Sequence, residues 1–574
     1  MFKKFSSYRI QKKATLSLLS TLLSVSITHS VNAAPAQDPL FLTAPVTPLM
    51  MLNMSRDHQL YFKIYDDYAD ITDPNGGEPD GIPDITYNNN YDYYGYFDSK
   101  KCYQYSTSNN RFEPKAWRDA SRACSGSNHW SGNFLNWATM TRMDAIRKIL
   151  YGGYRSTDNV AGANTNSVTV LERALLPNDI HSFAKFYKPA SVAELKKVVP
   201  DALADSSGIT LCNTTDPSTR NKPSSATSAA LSQNVTQPPL IKVAKGNYSL
   251  WANNERWQCG WRNDSNNGVA TAVNGNNATV SGINAASGNP SKGTDGTGYG
   301  NYVARVQVCV PGFIDDVPEE DNENCRTYSP RNIKPIGLLQ EFGENNSIHF
   351  GLITGSYGKN KSGGVLRKAI GSIADEVDLT TAGTGTGRFL NPTNGIINTL
   401  NKLRIFGYNY GEGLYNVAPS GAWNATPPDH SWSDNCSWFG GSSTYKRAYF
   451  EDGRCTNWGN PQAEIYLESL RYLAGTSAAT AEFHTDDSSR ISGLNTAAWS
   501  DPISETASGN YCAPLNILQF NASTISYDAD QLSGAADVGI TNLTTETNLV
   551  AEAEGILNNE YFVGRVSEDS SALG

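Results

Sequence analysis

The 574-residue sequence predicts an α/β fold in which helices cover a mostly parallel central sheet. Two observations predict it: short apolar segments typical of strands, and amphipathic segments with helical spacing that alternate with them. The strand candidates are residues 44–54, 347–357 and 515–520, and the first and last of these are expected to be buried. The helix candidates are residues 134–150, 460–475 and 546–557. Long segments rich in Asn, Ser and Gly interrupt this alternation, and we interpret them as excursions from the edge of the sheet.

Two of the helix candidates have clear internal signals. In the first, apolar residues recur at helical spacing and Gly152 and Gly153 end the pattern. Its apolar positions are Phe134, Leu135, Ala138, Met143, Ile146, Ile149 and Leu150. The second candidate opens with Asn460 as the expected N-cap and Pro461 in the first turn. Its expected apolar face is Ala463, Tyr466, Leu467, Leu470 and Leu473.

The first 33 residues predict a cleaved secretory signal. Five basic residues precede an apolar stretch at 14–27, and Val31-Asn32-Ala33 supplies a small-residue cleavage site. The alternative is a membrane anchor, but the apolar stretch is too short and too rich in Ser and Thr to span a bilayer easily. We therefore expect an exported chain that is soluble or held at the surface by a partner.

The remaining length predicts more than one structural unit. We expect residues 34–200 to contain the first strand, an acidic loop and an amphipathic helix. Residues 201–330 are rich in Ser, Asn and Gly, and we interpret them as a cysteine-stapled insertion made mainly of loops. Residues 331–574 then complete the α/β domain.

Nine cysteines follow the signal segment, and in an oxidising compartment they are expected to pair. Proximity in sequence favours Cys102–Cys124, Cys309–Cys325 and Cys436–Cys455, and a fourth pair, Cys212–Cys259, would close the loop-rich middle of the chain. Cys512 is left over, either as a free thiol or with a partner outside this chain. Zinc is the competing interpretation, but the sequence has no CxxC pair.

An acidic stretch at residues 70–84 is the candidate calcium site. Calcium takes six to eight oxygen ligands from a flexible loop, and this stretch is rich in carboxylates beside an Asp-Gly turn. The candidate ligands are Asp73, Asn75, Glu78, Asp80 and Asp84. Gly76 stands where such loops place their first Asp, and the alternative is an ordinary acidic turn.

Motifs for catalysis and for nucleic-acid binding are missing from the sequence. The histidines are scattered outside HExxH spacing, and the sequence has no GxSxG elbow, P-loop or helix-opening GxGxxG. The neighbours Asp57 and His58 lack a nucleophile in a motif, so we expect His58 to be non-catalytic. The formal net charge of −10 argues against nucleic acid as a partner. We expect a non-enzymatic protein.

Several long and compositionally unusual stretches extend over most of the chain apart from the middle insertions. They are Tyr87–Tyr105, Trp130–Gly153, His349–Lys368, Cys455–Gly475, Ile525–Leu532 and Glu560–Arg565. Together, and in this order, they resemble the PilY/PilC family of type IV pilus tip-associated proteins.

The resemblance implies a von Willebrand factor A-like domain with insertions, and export to the periplasm, the outer membrane surface or the pilus tip. It also implies minor pilins as partners, contact with a host or abiotic surface, and roles in pilus assembly, adhesion and twitching motility. Metal-binding domains of this class carry D-x-S-x-S after the first strand. Here Asn53, Ser55 and Asp57 occupy that motif, and Asn521 stands after a later strand where Asp-Gly is usual. We expect a degenerate metal-adhesion site.

The family usually continues into a C-terminal β-propeller, which this sequence does not include. We expect the propeller to be encoded separately, or the chain to be a truncated product. Two alternatives to the pilus assignment remain: a non-functional family fragment, and a secreted carbohydrate-active hydrolase. In the hydrolase hypothesis, tryptophans line a sugar-binding cleft, namely Trp130, Trp137, Trp251, Trp257 and Trp261.

Overall fold

The computed structural model of the protein describes fifteen stretches of the chain. They are residues 46–67, 84–124, 126–215, 238–252, 258–264, 269–273, 299–314, 323–379, 385–408, 415, 452–453, 455–504, 510–522, 524–529 and 531–556. The predicted signal segment lies outside them. Within these stretches, no helix is both long enough and apolar enough to cross a membrane.

The strands and helices alternate irregularly along the chain. The strands are β1 (Leu49–Met54), β2 (Lys101–Ser106), β3 (Arg111–Trp117), β4 (Trp130–Ser131), β5 (Arg155–Asp158), β6 (Thr169–Glu172), β7 (Phe183–Tyr187), β8 (Ile209–Thr214), β9 (Leu240–Lys245), β10 (Gly260–Asp264), β11 (Val269–Val273), β12 (Tyr299–Val303), β13 (Arg305–Val308), β14 (Cys325–Ser329), β15 (Asn332–Pro335), β16 (His349–Gly355), β17 (Gly364–Gly371) and β18 (Leu515–Phe520). The helices are α1 (Gly132–Thr139), α2 (Arg142–Tyr151), α3 (Val192–Lys196), α4 (Leu338–Gly343), α5 (Ile396–Lys402), α6 (Gln462–Leu473) and α7 (Leu543–Ala553).

The central sheet has four strands in the order β17-β16-β1-β18. Strand β1 is parallel to both neighbours, so Leu52 lies beside Leu352 on one side and Leu518 on the other. Strand β17 pairs with β16 in the antiparallel direction. The prediction of a mixed α/β fold is confirmed, and the strands at 44–54, 347–357 and 515–520 meet as neighbours in this sheet.

Helices cover both faces of the central sheet, because alternate residues of β1 point to opposite sides. On one face Met51 packs with Ile465 and Tyr472 of α6. On the other face Leu52 and Met54 belong to the largest buried cluster, together with residues of α2, α4 and α5. Burial on both sides explains why β1 is almost continuously apolar.

The remaining sheets are mainly antiparallel. One has six strands in the order β4-β2-β3-β13-β6-β5, and another has four in the order β12-β9-β8-β7. A second buried cluster joins them with α1, and it is rich in aromatic side chains that meet edge to face. Parallel pairing is therefore concentrated in the central sheet, and the described chain as a whole is not mostly parallel.

The helix predicted at 134–150 is two helices. Helix α1 ends at Thr139, and Thr141 caps α2 by accepting a hydrogen bond from the backbone N–H of Asp144. The Asp144 carboxylate accepts in turn from the backbone of Thr141, which completes a capping box. The apolar periodicity runs across the break because both helices bury their residues, so periodicity alone does not reveal it.

Three further predictions need correction. Pro461 rather than Asn460 is the N-cap of α6, and Tyr466 is exposed whereas Ile465 is buried. Strand β18 was predicted to be buried, but it is the edge of the central sheet and much of it is exposed. Residues 201–330 were predicted to be mainly loops, yet they contain strands β8 and β9, which pair with each other.

Disulfide bonds close three of the predicted pairs: Cys102–Cys124, Cys212–Cys259 and Cys309–Cys325. Cys455 is also disulfide-bonded, while its predicted partner Cys436 lies outside the described residues. Cys512 is a free thiol on the surface. The first bond ties β2 to the loop that precedes β4, and it is fully buried.

Replacing both Cys102 and Cys124 by Ser should lower the free energy of unfolding by about 3 kcal/mol, because the unfolded chain loses a cross-link over 22 residues. Denaturant unfolding followed by circular dichroism measures this change. The matched control is Cys512→Ser, which removes an exposed, unbonded thiol and should leave stability unchanged. Equal stability of the double variant and the wild type would show that this bond does not stabilise the fold.

Candidate site at the carboxyl ends of the central sheet

The topology of the central sheet predicts a ligand site at the carboxyl ends of its parallel strands. After β1, the chain returns to the sheet as β16 on one side of β1, and later as β18 on the other side. In parallel α/β sheets, ligands bind in the crevice at the carboxyl ends of two such strands. Here the loops after β1 and β18 meet there, and Ser55 donates its backbone N–H to the carbonyl of Phe520 at 2.9 Å.

Asn460, just before α6, holds these loops together. Its Oδ1 accepts from Ser55 Oγ at 2.8 Å and from Gln462 Nε2 at 2.7 Å. Its Nδ2 donates to Asn521 Oδ1 at 2.8 Å and to the carbonyl of Thr524 at 3.1 Å. We call Ser55, Asn460, Gln462 and Asn521 the Asn460 network. It links β1, α6 and the loop after β18 through neutral side chains.

Asn53 lies on the same face of β1 as Ser55, two residues earlier, and it is fully buried. Among the described residues, neither its amide oxygen nor its amide nitrogen has a hydrogen-bond partner. A buried polar group without a partner costs about 1–3 kcal/mol. Asn53 is therefore an unfavourable residue for the stability of β1.

Asp57 is the acidic residue at this edge, and it is buried. Its Oδ1 accepts from the backbone N–H of Gln59 at 3.0 Å, and the backbone N–H of Gly459 donates to the same carboxyl group. Burial raises the pKa of this carboxyl from 3.8 to about 6, and these hydrogen bonds and the charge of Arg56 offset only part of that effect.

His58 and His181 form a buried pair beside Asp57. His58 Nδ1 lies 3.1 Å from His181 Nε2, and His181 Nδ1 lies 2.8 Å from Asp179 Oδ1. The distances assign His181 Nδ1–H as the donor to Asp179 and His58 Nδ1–H as the donor to His181 Nε2. Burial is the main cause that lowers the pKa of His58 from 6.5 to about 2, and the positive charge of Arg56 adds to it.

A cavity of about 250 Å³ opens beside these residues. Three segments line it: residues 57–59 after β1, residues 455–459 before α6, and residues 524–527 after β18. Most of its wall is apolar, and Trp458 packs against His58 with ring centroids 5.1 Å apart and the rings tilted by 38°. The cavity therefore lies at the carboxyl ends of β1 and β18, where the topology predicts a ligand.

The structure brings one group of predicted site residues together, and most of the other group lies outside the described residues. Asn53, Ser55 and Asp57 lie together at this edge, and Asn521 joins Ser55 through Asn460. Of the candidate calcium ligands, Asp73, Asn75, Glu78 and Asp80 lie outside the described residues. Asp84 is described, and it accepts a hydrogen bond from Tyr91 at 3.0 Å. The calcium loop stays a prediction.

Two of the tryptophans proposed to line a sugar cleft are buried in the core. Trp130 and Trp137 are each only 2% exposed, and both belong to the aromatic core cluster. For these two residues the expectation is wrong. The side chains of Trp251, Trp257 and Trp261 lie outside the described part of the structure.

Sequence reasoning missed His181 and Asp179, which follow β6 and lie more than 120 residues from His58. No local motif marks them, because their pairing depends on how the antiparallel part of the chain packs against the central sheet. For Asn460, the sequence pattern indicates only a helix cap. Its neighbour Ser526, whose hydroxyl accepts from the backbone of Asn460 at 3.0 Å, belongs to a stretch noticed only for its family resemblance.

Two family models match the chain. One, described as the PilY1 homolog small alpha/beta domain, matches residues 84–236. The other, described as the PilY1 homolog second domain, matches residues 350–573. The first covers much of the aromatic antiparallel part, and the second covers β16, β17, α6 and β18.

Two curated relatives, both named type IV pilus biogenesis factor PilY1 homolog and both from Xylella fastidiosa strain Temecula1, are similar to the chain. One is 29% identical over 554 residues, which is 91% of this chain and 32% of the relative. The other is 40% identical over 98 residues, which is 16% of this chain and 8% of the relative. The chain thus spans about a third of the length of the first relative. No solved structure matches it significantly.

The His58 pair predicts a pH dependence of stability. The folded-state pKa of His58 lies below its unfolded value of 6.5. Its contribution to the free energy of unfolding is therefore fully present above pH 6.5 and is lost as the pH falls. Asp57 acts in the opposite direction between pH 4 and 6, because its folded-state pKa is raised. Replacing His58 by Gln removes only the first effect. Between pH 7.5 and pH 5, the stability advantage of wild type over H58Q should shrink by about 2 kcal/mol.

Denaturant unfolding at both pH values measures that difference. His484→Gln is the control, because His484 is exposed and distant in sequence from this edge. An unchanged difference between wild type and H58Q would mean that His58 takes up a proton as readily in the folded state as in the unfolded chain.

Proposed function

Because this chain belongs to the PilY1-like family, we propose that it acts in type IV pilus biogenesis, as an exported, non-enzymatic protein at the pilus tip. The observation that carries the proposal is the pair of family matches, at residues 84–236 and 350–573, together with similarity along 91% of the chain. Adhesion to a surface and a contribution to twitching motility are the finer roles that we propose with it.

Export is supported by the cysteines. Three disulfide bonds are closed within the described residues, and structural disulfides persist in oxidising compartments. The basic and apolar sequence of residues 1–33 supports the same conclusion. We propose the periplasm and then the outer membrane surface or the pilus tip as its location, with minor pilins as partners.

We further propose that the central sheet belongs to a von Willebrand factor A-like domain. Three features support this: a parallel core of β16, β1 and β18, helices on both faces, and the degenerate motif of Asn53, Ser55 and Asp57 at the carboxyl end of β1. The edge where such domains bind a metal ion is the edge that contains the Asn460 network.

The residues at that edge do not fit a divalent cation. Mg²⁺ requires oxygen ligands in octahedral geometry and usually one or two carboxylates. Asn53, Ser55 and Asn521 are neutral, which leaves Asp57 as the one carboxylate of the degenerate motif. In addition, the amide Nδ2 of Asn460 donates to the oxygens of Asn521 and Thr524. We propose that hydrogen bonds hold this edge together without metal.

The stability of the purified protein should therefore not respond to magnesium at this edge. A ligand present at one hundred times its Kd stabilises by about 2.7 kcal/mol, which a thermal melt detects easily. Melting curves in millimolar MgCl₂ and in EDTA should coincide. The test variant is Asn53→Asp, which adds the missing carboxylate. A magnesium-dependent rise in the melting temperature of wild type, lost in Ser55→Ala, would contradict a metal-independent site.

Deleting the gene in the bacterium that encodes this protein should reduce the number of surface pili and the twitching zone on agar. Electron microscopy of sheared and intact cells measures the first, and a motility assay measures the second. Complementation with wild type should restore both, whereas complementation with the Cys102→Ser/Cys124→Ser double variant should restore them poorly. Unchanged piliation in the deletion strain, with no related gene in the genome, would count against the assignment.

A further inference from the structure

The cavity at the carboxyl ends of β1 and β18 has the size of a single side chain. Its volume is about 250 Å³, below the roughly 300–1,000 Å³ of sites for drug-sized ligands. Among the described residues that line it, Asp57 is the only acidic one and none is a lysine or an arginine. The cavity therefore offers one acidic group in a wall that is mostly apolar.

The Asp57 carboxylate has capacity for another donor. It is 3% exposed and accepts from two backbone N–H groups, those of Gln59 and Gly459. A carboxylate offers about four lone-pair sites, so two backbone donors do not saturate it. A carboxylate removed from water is costly unless cations offset its charge, and Arg56 does so only in part, so a bound cation gains from this position.

Aromatic rings complete the fit to an ammonium group. Trp458 and Tyr527 both line the cavity, and ammonium groups bind the faces of such rings. The Lys361 ammonium already lies 4.9 Å from the centroid of the Tyr527 ring. Apolar wall residues such as Ile525 suit the methylene groups that carry an ammonium.

The backbone around the cavity is strained at two lining residues. Tyr527 has φ of 56° and Cys455 has φ of 44°, and the left-handed region is uncommon for residues with side chains. Such strain persists only where the surrounding structure enforces it, and it clusters at functional sites. Here it positions the Tyr527 ring at the cavity.

We propose that this cavity binds the alkylammonium group of a lysine side chain presented by a partner protein. The ammonium pairs with the Asp57 carboxylate, and the methylenes lie against Trp458 and Ile525. The choice of a protein partner rests on the proposed role in pilus biogenesis, whereas the amine chemistry rests on the cavity alone. Binding to the purified protein tests the chemistry without any pilus.

Isothermal titration calorimetry at pH 8 tests the proposal with N-acetyl-lysine-N-methylamide and with its neutral analogue, N-acetyl-norleucine-N-methylamide. The lysine compound should bind at least tenfold more tightly than the norleucine compound. Asp57→Asn should abolish that preference. The matched control is Asp205→Asn, the same change at an exposed turn outside the cavity, and it should keep the wild-type preference.

Ile525→Trp is the second variant, because Ile525 is 48% exposed and a larger ring there fills the cavity without disturbing the core. Circular dichroism confirms its fold, and it should lose binding of the lysine compound. Three results would overturn the proposal: no binding to wild type, equal binding of the neutral analogue, or undiminished binding in both variants. Tighter binding of free n-butylamine than of the capped lysine would overturn the assignment to a protein partner.

Discussion

The parallel pairing of β1 with both β16 and β18 is the constraint on which the rest of the central domain depends. Strand β1 lies about 300 residues of chain before β16 and about 460 before β18, yet the three strands lie side by side in register. Strand β1 lies between the other two, and its two faces pack against different helices, α6 on one and α2, α4 and α5 on the other. The same arrangement places the loops after β1 and β18 next to each other.

At the carboxyl ends of these strands, neutral polar side chains connect the loops by hydrogen bonds. Asn460 accepts from Ser55 through Oδ1 and donates to Asn521 through Nδ2, so one neutral residue joins the loops after β1 and β18. Asn53 lowers the stability of the same region, because its amide is buried without a partner among the described residues. Asp57 lines the cavity beside these loops.

The sequence predicts the strands of the central sheet well, because β1 and β16 are apolar and isolated by turn residues. It predicts Cys102–Cys124 and Cys309–Cys325 by proximity, and Cys212–Cys259 as the pair that closes the loop-rich middle. It does not predict the break at Met140, since both flanking helices are buried and their apolar pattern is continuous. Contacts such as His58 with His181 depend on packing between distant segments, and no local pattern encodes them. The exposure of β18 depends on which strands pair with it, which composition does not reveal.

That exposure has a consequence for handling the protein. Strand β18, with the sequence LNILQF, has neither a charged residue nor a proline, the two devices by which natural sheets usually prevent an outer strand from recruiting another chain. Among the described strands it is an outer member of the central sheet, and Leu515 and Leu518 are exposed on it. A second copy of the chain can therefore pair with this outer strand, and high protein concentration favours such intermolecular sheet formation.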